Sequence, residues 1–259
     1  MTSDAHGGGG LELRLRPVAA SVPLDRIAFG EVELVAVGDA PGPVSARLNI
    51  VEGDLEISVT PAGGTPVRAA WPWPVDSAPR SLVLAPGERL VACVPLLAAG
   101  SVPLFPVPGR YELLARFAAR PGLTLESNPV ALVRTAAHDA ALAAGLGDRD
   151  VLQSLLGAGV IGAASPKLEQ LAASSDAGTA AAANLALGRT DALAEAADDP
   201  AVARAVAALL PPGATGPDER RDAVVPRAGA RDAAVLSGKP LGEEAQRAVP
   251  EPQRWDGRE

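Results

Sequence analysis

The chain has 259 residues, 47% of them apolar but only 3% aromatic, and a net charge of −8. That length holds one large domain or two small ones, with a core built from Ala, Val and Leu. The acidic balance argues against a sequence-independent grip on nucleic acid and against docking on anionic lipid, since both need a basic face.

The one cysteine, Cys93, rules out an intrachain disulfide and reads as a small buried hydrophobe on a strand. Met1 to Gly10 lacks the basic segment and apolar run of a signal peptide. No stretch approaches the ~18 uninterrupted apolar residues of a membrane span. With Met1 as the true start, the expectation is a soluble cytoplasmic protein with no membrane partner.

Residues 1–10 end in four glycines and are expected to be disordered. Leu11 to Arg16 alternates leucine with charge, as a half-buried strand requires, and Pro17 suits a sheet edge. Val32, Leu34 and Ala36 repeat the pattern with Glu31 and Glu33 outside. Leu48 and Ile50 are assigned to a further strand. Leu55, Ile57 and Val59 form another, and Thr65 to Ala70 returns beside it. Ser81 to Leu84 and Arg89 to Leu97 follow. In the stretch Pro108 to Phe117, Tyr111, Leu113, Ala115 and Phe117 share one face. Asn128 to Arg134 closes the series. Short strands between Gly and Pro turns favour a sandwich or barrel over a parallel sheet with helices.

Gly109-x-Tyr111 entering a strand resembles the tyrosine corner of β-sandwiches. With Leu84 to Glu88 and Ser127 to Val133 it is similar to the last strands of bacterial immunoglobulin-like accessory domains. The likeness spans about residues 11–135. It implies an immunoglobulin-like antiparallel sandwich, with Tyr111 as a structural residue. Leu113 stands where antibody-type domains place their second cysteine. The motifs belong to the scaffold and imply no chemistry.

From Ala136 the period changes. Asp148 is placed to cap Arg149 to Leu156, and Ser165-Pro166 is read as a capping hydroxyl followed by proline at the first helical position. Asp176, Thr190 and Asp199-Pro200 open further helices. Residues 136–210 are thus expected to form a small helical bundle or a degenerate helix-pair array. Residues 211–259 are Pro-, Gly- and Arg/Glu-rich and are read as a disordered tail.

Gly157 to Gly162 matches the dinucleotide fingerprint G-x-G-x-x-G, which works only between a strand and a helix. A helix-like segment precedes it and the next helix is delayed to Ser165, so a glycine-rich link between helices is preferred and no cofactor is expected. His6 and His138 cannot make a metal site by spacing, and no nucleophile elbow or phosphate loop occurs. Neither a catalytic nor a metal residue is assigned. Trp71 and Trp73, in a proline-stiffened loop, and Trp255, near the end of the chain, are candidate interaction residues. The expectation is a non-enzymatic protein-interaction or scaffold component with a protein partner. The alternative is a proteinase inhibitor presenting the loops Ala70 to Ala78 and Gly100 to Pro108. A dinucleotide-binding enzyme ranks last.

Overall fold

The computed structural model describes residues 10–38, 42–71, 78–157, 159–209 and 240–242. The strands run β1 (Leu11–Pro17), β2 (Ser21–Pro23), β3 (Ala28–Ala36), β4 (Val44–Ser45), β5 (Leu55–Pro61), β6 (Val67–Ala69), β7 (Ser81–Leu82), β8 (Arg89–Leu96), β9 (Ala98–Ala99), β10 (Val102–Pro103), β11 (Gly109–Arg120), β12 (Leu123–Glu126) and β13 (Val130–Thr135). Then come helices α1 (Ala140–Leu146), α2 (Arg149–Gly157), α3 (Ser165–Ala172), α4 (Ala177–Ala186), α5 (Thr190–Glu195) and α6 (Pro200–Leu209), and a last strand β14 (Pro240–Leu241). This is an α+β protein.

Two sheets carry the fold. One has the order β1-β3-β8-β14, all antiparallel. The other has the order β2-β13-β11-β5-β6, with β12 paired to β11 and β2 running parallel to β13. The period-two alternation decides what each sheet faces. Leu11, Leu13, Leu15, Val32, Leu34, Leu90 and Val94 point from the first sheet into a core shared with Ile57, Leu113, Phe117 and Leu132 of the second. Phe117, Leu113 and Leu132 are fully buried, so the strand β11 that carries two of them runs through the middle of this layer pair.

The opposite face of the first sheet is also covered. Phe29 on β3 and Val91 and Cys93 on β8 join Leu152, Leu155, Leu168, Leu171, Val202 and Val206 in a second core. The molecule therefore has three layers, with β3 and β8 buried on both sides. All nine residues of β3 are buried.

Aspartates start four of the helices. Asp139 accepts from the amides of Ala141 and Leu142, Asp148 from Asp150 and Val151, Asp176 from Thr179, and Asp199 from Ala201. Small alanines at Ala181, Ala182, Ala203 and Ala207 let these short helices approach closely.

Three expectations are corrected. Residues 46–52 are irregular, a mixture of bends and unassigned backbone, so Leu48 and Ile50 carry no strand; both side chains still pack on the core between the sheets. Ser165 does not cap α3. Ala164 precedes it with helical backbone angles, which places the serine inside the first turn, and no side chain caps this end. Within the tail, Pro240 and Leu241 pair with Leu90 and Arg89 of β8, and Leu241 is buried. Residues 1–9, 211–239 and 243–259, expected to be disordered, lie outside the described residues.

Candidate functional site

β6 delivers the chain to Trp71 at a point where the backbone is held on both sides. The Ala70 amide donates to the Ala98 carbonyl at 3.0 Å, and the Gly100 amide donates to the Ala70 carbonyl at 3.3 Å. The two candidate loops, after Ala70 and after Gly100, therefore leave the sheets from one spot. Trp71 is half-buried and packs against the helix-side core. Trp73, residues 72–77 and Trp255 lie outside the described residues.

The second loop is stiffened from within. Leu104 and Phe105 are buried, while Val102 and Val107 are exposed. The hydroxyl of the buried Tyr111 donates to the Val107 carbonyl at 2.7 Å. The Phe105 and Tyr111 rings meet edge to face, with centroids 4.9 Å apart. The Arg134 guanidinium lies 5.1 Å from the Phe105 ring centroid. Burial pushes its pKa down to about 10, opposed by the charges of Tyr111 and Asp25. Leu113, two residues along β11 on the same face as Tyr111, is fully buried.

An ionic seam lies under α6, and it corrects the sequence reading of Glu31 and Glu33 as outside. Both are buried, at 4% and 7% exposure, because the face they share with Phe29 is the one the helices cover. Arg16 Nε donates to Glu31 at 2.9 Å, and Arg16 also pairs with Glu33 at 3.7 Å. Arg89 reaches Glu33 at 3.5 Å, and Arg204 from α6 reaches Glu31 at 3.3 Å. Three guanidiniums thus share two carboxylates across β1, β3, β8 and α6. The acids are engaged as acceptors, so the seam acts as a polar clamp between sheet and helix. Alternation assigns the two glutamates to one face; it carries no signal of what covers that face.

The glycine-rich stretch lies between helices. Gly157 ends α2, and α3 begins at Ser165. Gly162 has φ +54°, and a Cβ there would fall 2.2 Å from Asp150 Oδ2. That carboxylate accepts from the Ala163 amide at 3.2 Å. An acid therefore stands against the last glycine, and the strand the fingerprint requires does not precede it.

His138 is exposed in the link before α1. Among the described residues no group of three or more His, Cys, Asp and Glu side chains could hold a metal ion. No described helix is long and apolar enough to cross a membrane.

No family model matches the chain, and no curated protein does. Solved structures with a local likeness include a β-glucosidase, EmGH1, from Erythrobacter marinus. It has 14% identity over 48% of this chain and 15% of that one, with a TM-score of 0.30. A mutant β-glucosidase from Listeria innocua in complex with laminaribiose has 12% identity over 49% of this chain and 16% of that one, at 0.29. The sporulation control protein Spo0M from Bacillus subtilis has 11% identity over 58% of this chain and 54% of that one, at 0.31. The chain thus spans about a sixth of the glucosidases and about half of Spo0M. Likenesses this weak carry no argument about what the chain does.

Proposed function

We propose that this is a non-enzymatic, cytoplasmic protein-interaction component, built on an immunoglobulin-like sandwich at about residues 11–135 and the helical layer that follows. The tyrosine corner at Tyr111 and the two facing sheets support the immunoglobulin-like reading. The interaction reading is carried by Trp71. Trp71 packs on the helix-side core while only half-buried, and the backbone just before it is tied to β9 and Gly100. A large aromatic fixed in place loses little entropy on docking, which is the property of an interface anchor. No nucleic-acid or membrane partner is proposed.

The test is affinity capture with the full chain, followed by titration of the recovered protein. Trp71→Ala should leave the circular-dichroism spectrum intact and weaken binding by more than about thirtyfold, the effect of an anchor worth about 2 kcal/mol. A partner that binds the alanine variant equally well removes Trp71 from the reading.

A second reading, the proteinase inhibitor, is favoured by one observation. The two candidate loops start from hydrogen-bonded neighbours, and Tyr111 stiffens one of them from below. Rigid loops presented together are what substrate-like inhibition needs. Tight inhibition in a protease panel, lost when residues 101–107 are replaced by glycine and serine, would establish it in place of the first.

A further inference from the structure

The loop Asp25-Arg26-Ile27, between β2 and β3, is held from three directions. Asp25 Oδ2 accepts from the Asp139 amide at 3.0 Å. The Arg26 carbonyl accepts from Arg134 at 2.9 Å. The Ile27 amide donates at 3.0 Å to the hydroxyl of Thr179, a fully buried residue. That hydroxyl in turn donates to Asp176 Oδ2 at 2.7 Å. The loop is thus tied to the start of α1 through the Asp25 side chain, and to β13 and α4 through its backbone. The Arg26 side chain is 38% exposed, and its ion contact with Asp176 Oδ1 is a long 3.9 Å.

Beside this loop the sheet edge and the helices line a cleft, open on one side to solvent, of about 140 Å³. Val22, Ile27, Phe29 and Ala201 form its apolar lining, and Arg26 brings a guanidinium to it; Arg204 also lines it but is engaged by Glu31. One carboxylate, Asp176, also lines it, but Oδ2 of that group is occupied by the amide and hydroxyl of Thr179. A rigid backbone that presents a weakly engaged arginine over an apolar pocket is a preorganised arrangement for an amphipathic anion.

We propose that this cavity binds a short-chain aliphatic carboxylate. The planar fork of Arg26 takes the carboxylate through two parallel hydrogen bonds. The alkyl chain lies on Val22, Ile27 and Phe29. The size follows from the volume, since a cavity of about 150 Å³ accommodates benzene, so a chain of about four or five carbons fits. This site is independent of the Trp71 reading, and Trp71 does not line it.

The experiment is a titration of the isotopically labelled full chain with sodium valerate, followed by amide NMR, with valeramide and sodium acetate as matched probes. The proposal expects saturable shifts at Val22, Ile27 and Ala201 with a Kd below about 1 mM. Valeramide, which lacks the charge, and acetate, which lacks the chain, should each bind at least tenfold more weakly. Arg26→Gln, at an exposed side chain, should weaken valerate at least tenfold. Ala201→Leu should fill the cavity and abolish the shifts while the rest of the spectrum stays in place. The absence of saturable shifts overturns the proposal. So does valeramide binding as well as valerate, acetate binding as well as valerate, or an Arg26→Gln variant that binds unchanged.

Discussion

Tyr111 shows how a single side chain joins local sequence to the packing of a loop. The alternation of β11 points it inward, the ring meets Phe105, and the hydroxyl reaches back four residues to the Val107 carbonyl. Removing only the hydroxyl deletes one hydrogen bond and leaves the ring in place. Tyr111→Phe should therefore cost about 0.5–1.5 kcal/mol in urea unfolding. Tyr111→Ala also opens a cavity beneath the loop and should cost about 3–5 kcal/mol. Equal stability of the alanine variant and the parent would show that the ring does not hold the loop. Glu31 and Glu33 show the limit of reading single residues. Their placement on the face of Phe29 follows from period two, but a charged residue on one face of a strand reads as solvated unless its cover is known. The cover is α6, some 170 residues along the chain, and its Arg204 is part of what makes the burial tolerable.

Three helix starts are legible, at Asp148, Asp176 and Asp199, because aspartate does the same physical work at each; Asp139, which caps α1 in the same way, is not marked by a change of period, which begins at Ala136. Asp148 can be checked by pH. Its side chain pairs with Lys167 at 2.5 Å and accepts from the amides of Val151 and Asp150. These partners, Lys167 first, hold its pKa below the ordinary 3.8. A carboxyl whose folded pKa is depressed contributes stability above its unfolded value, and loses that contribution as pH falls through the folded value. Urea midpoints of Asp148→Asn should therefore lie below those of the parent at pH 7, and the gap should narrow below about pH 3.8. A gap that stays constant on acidification would mean the charge plays no part. Ser165 failed as a cap because the preceding Ala164 is already helical, a backbone fact that a Ser-Pro pair does not encode. Leu48 and Ile50 satisfied the apolar spacing of a strand, yet the segment is pinned by Asn49 instead. The Asn49 side-chain oxygen accepts from the amides of Val51 and Glu52, which closes a turn.

At the scale of the whole molecule, the first sheet is the shared wall between two cores. The alternating strands and the capped helices were readable from sequence, but their stacking was not, because it depends on which face of β3 and β8 meets which helix. The strand β14 is a further case. Pro240 and Leu241 sit in a stretch with no sustained apolar period, and only their pairing with β8 reveals that Leu241 fills the helix-side core. Leu241→Ala should cost about 2–3 kcal/mol, the lower part of the range for buried leucines, given a pairing of two residues. An unchanged unfolding curve would show that this contact contributes nothing.

The central structural claim is that the helices seal the outer face of the first sheet, and Cys93 is the natural probe of it. It is the one cysteine in the chain, it lies on β8 at 5% exposure, and it belongs to the core that sheet and helices share. Thiol labelling with a small disulfide reagent should be slow in buffer. It should accelerate with urea in parallel with the loss of tertiary signal, because the thiol is reached only when the layers open. Rapid labelling of the folded protein, with circular dichroism and tryptophan emission unchanged, would contradict the account and separate the helices from the sheet.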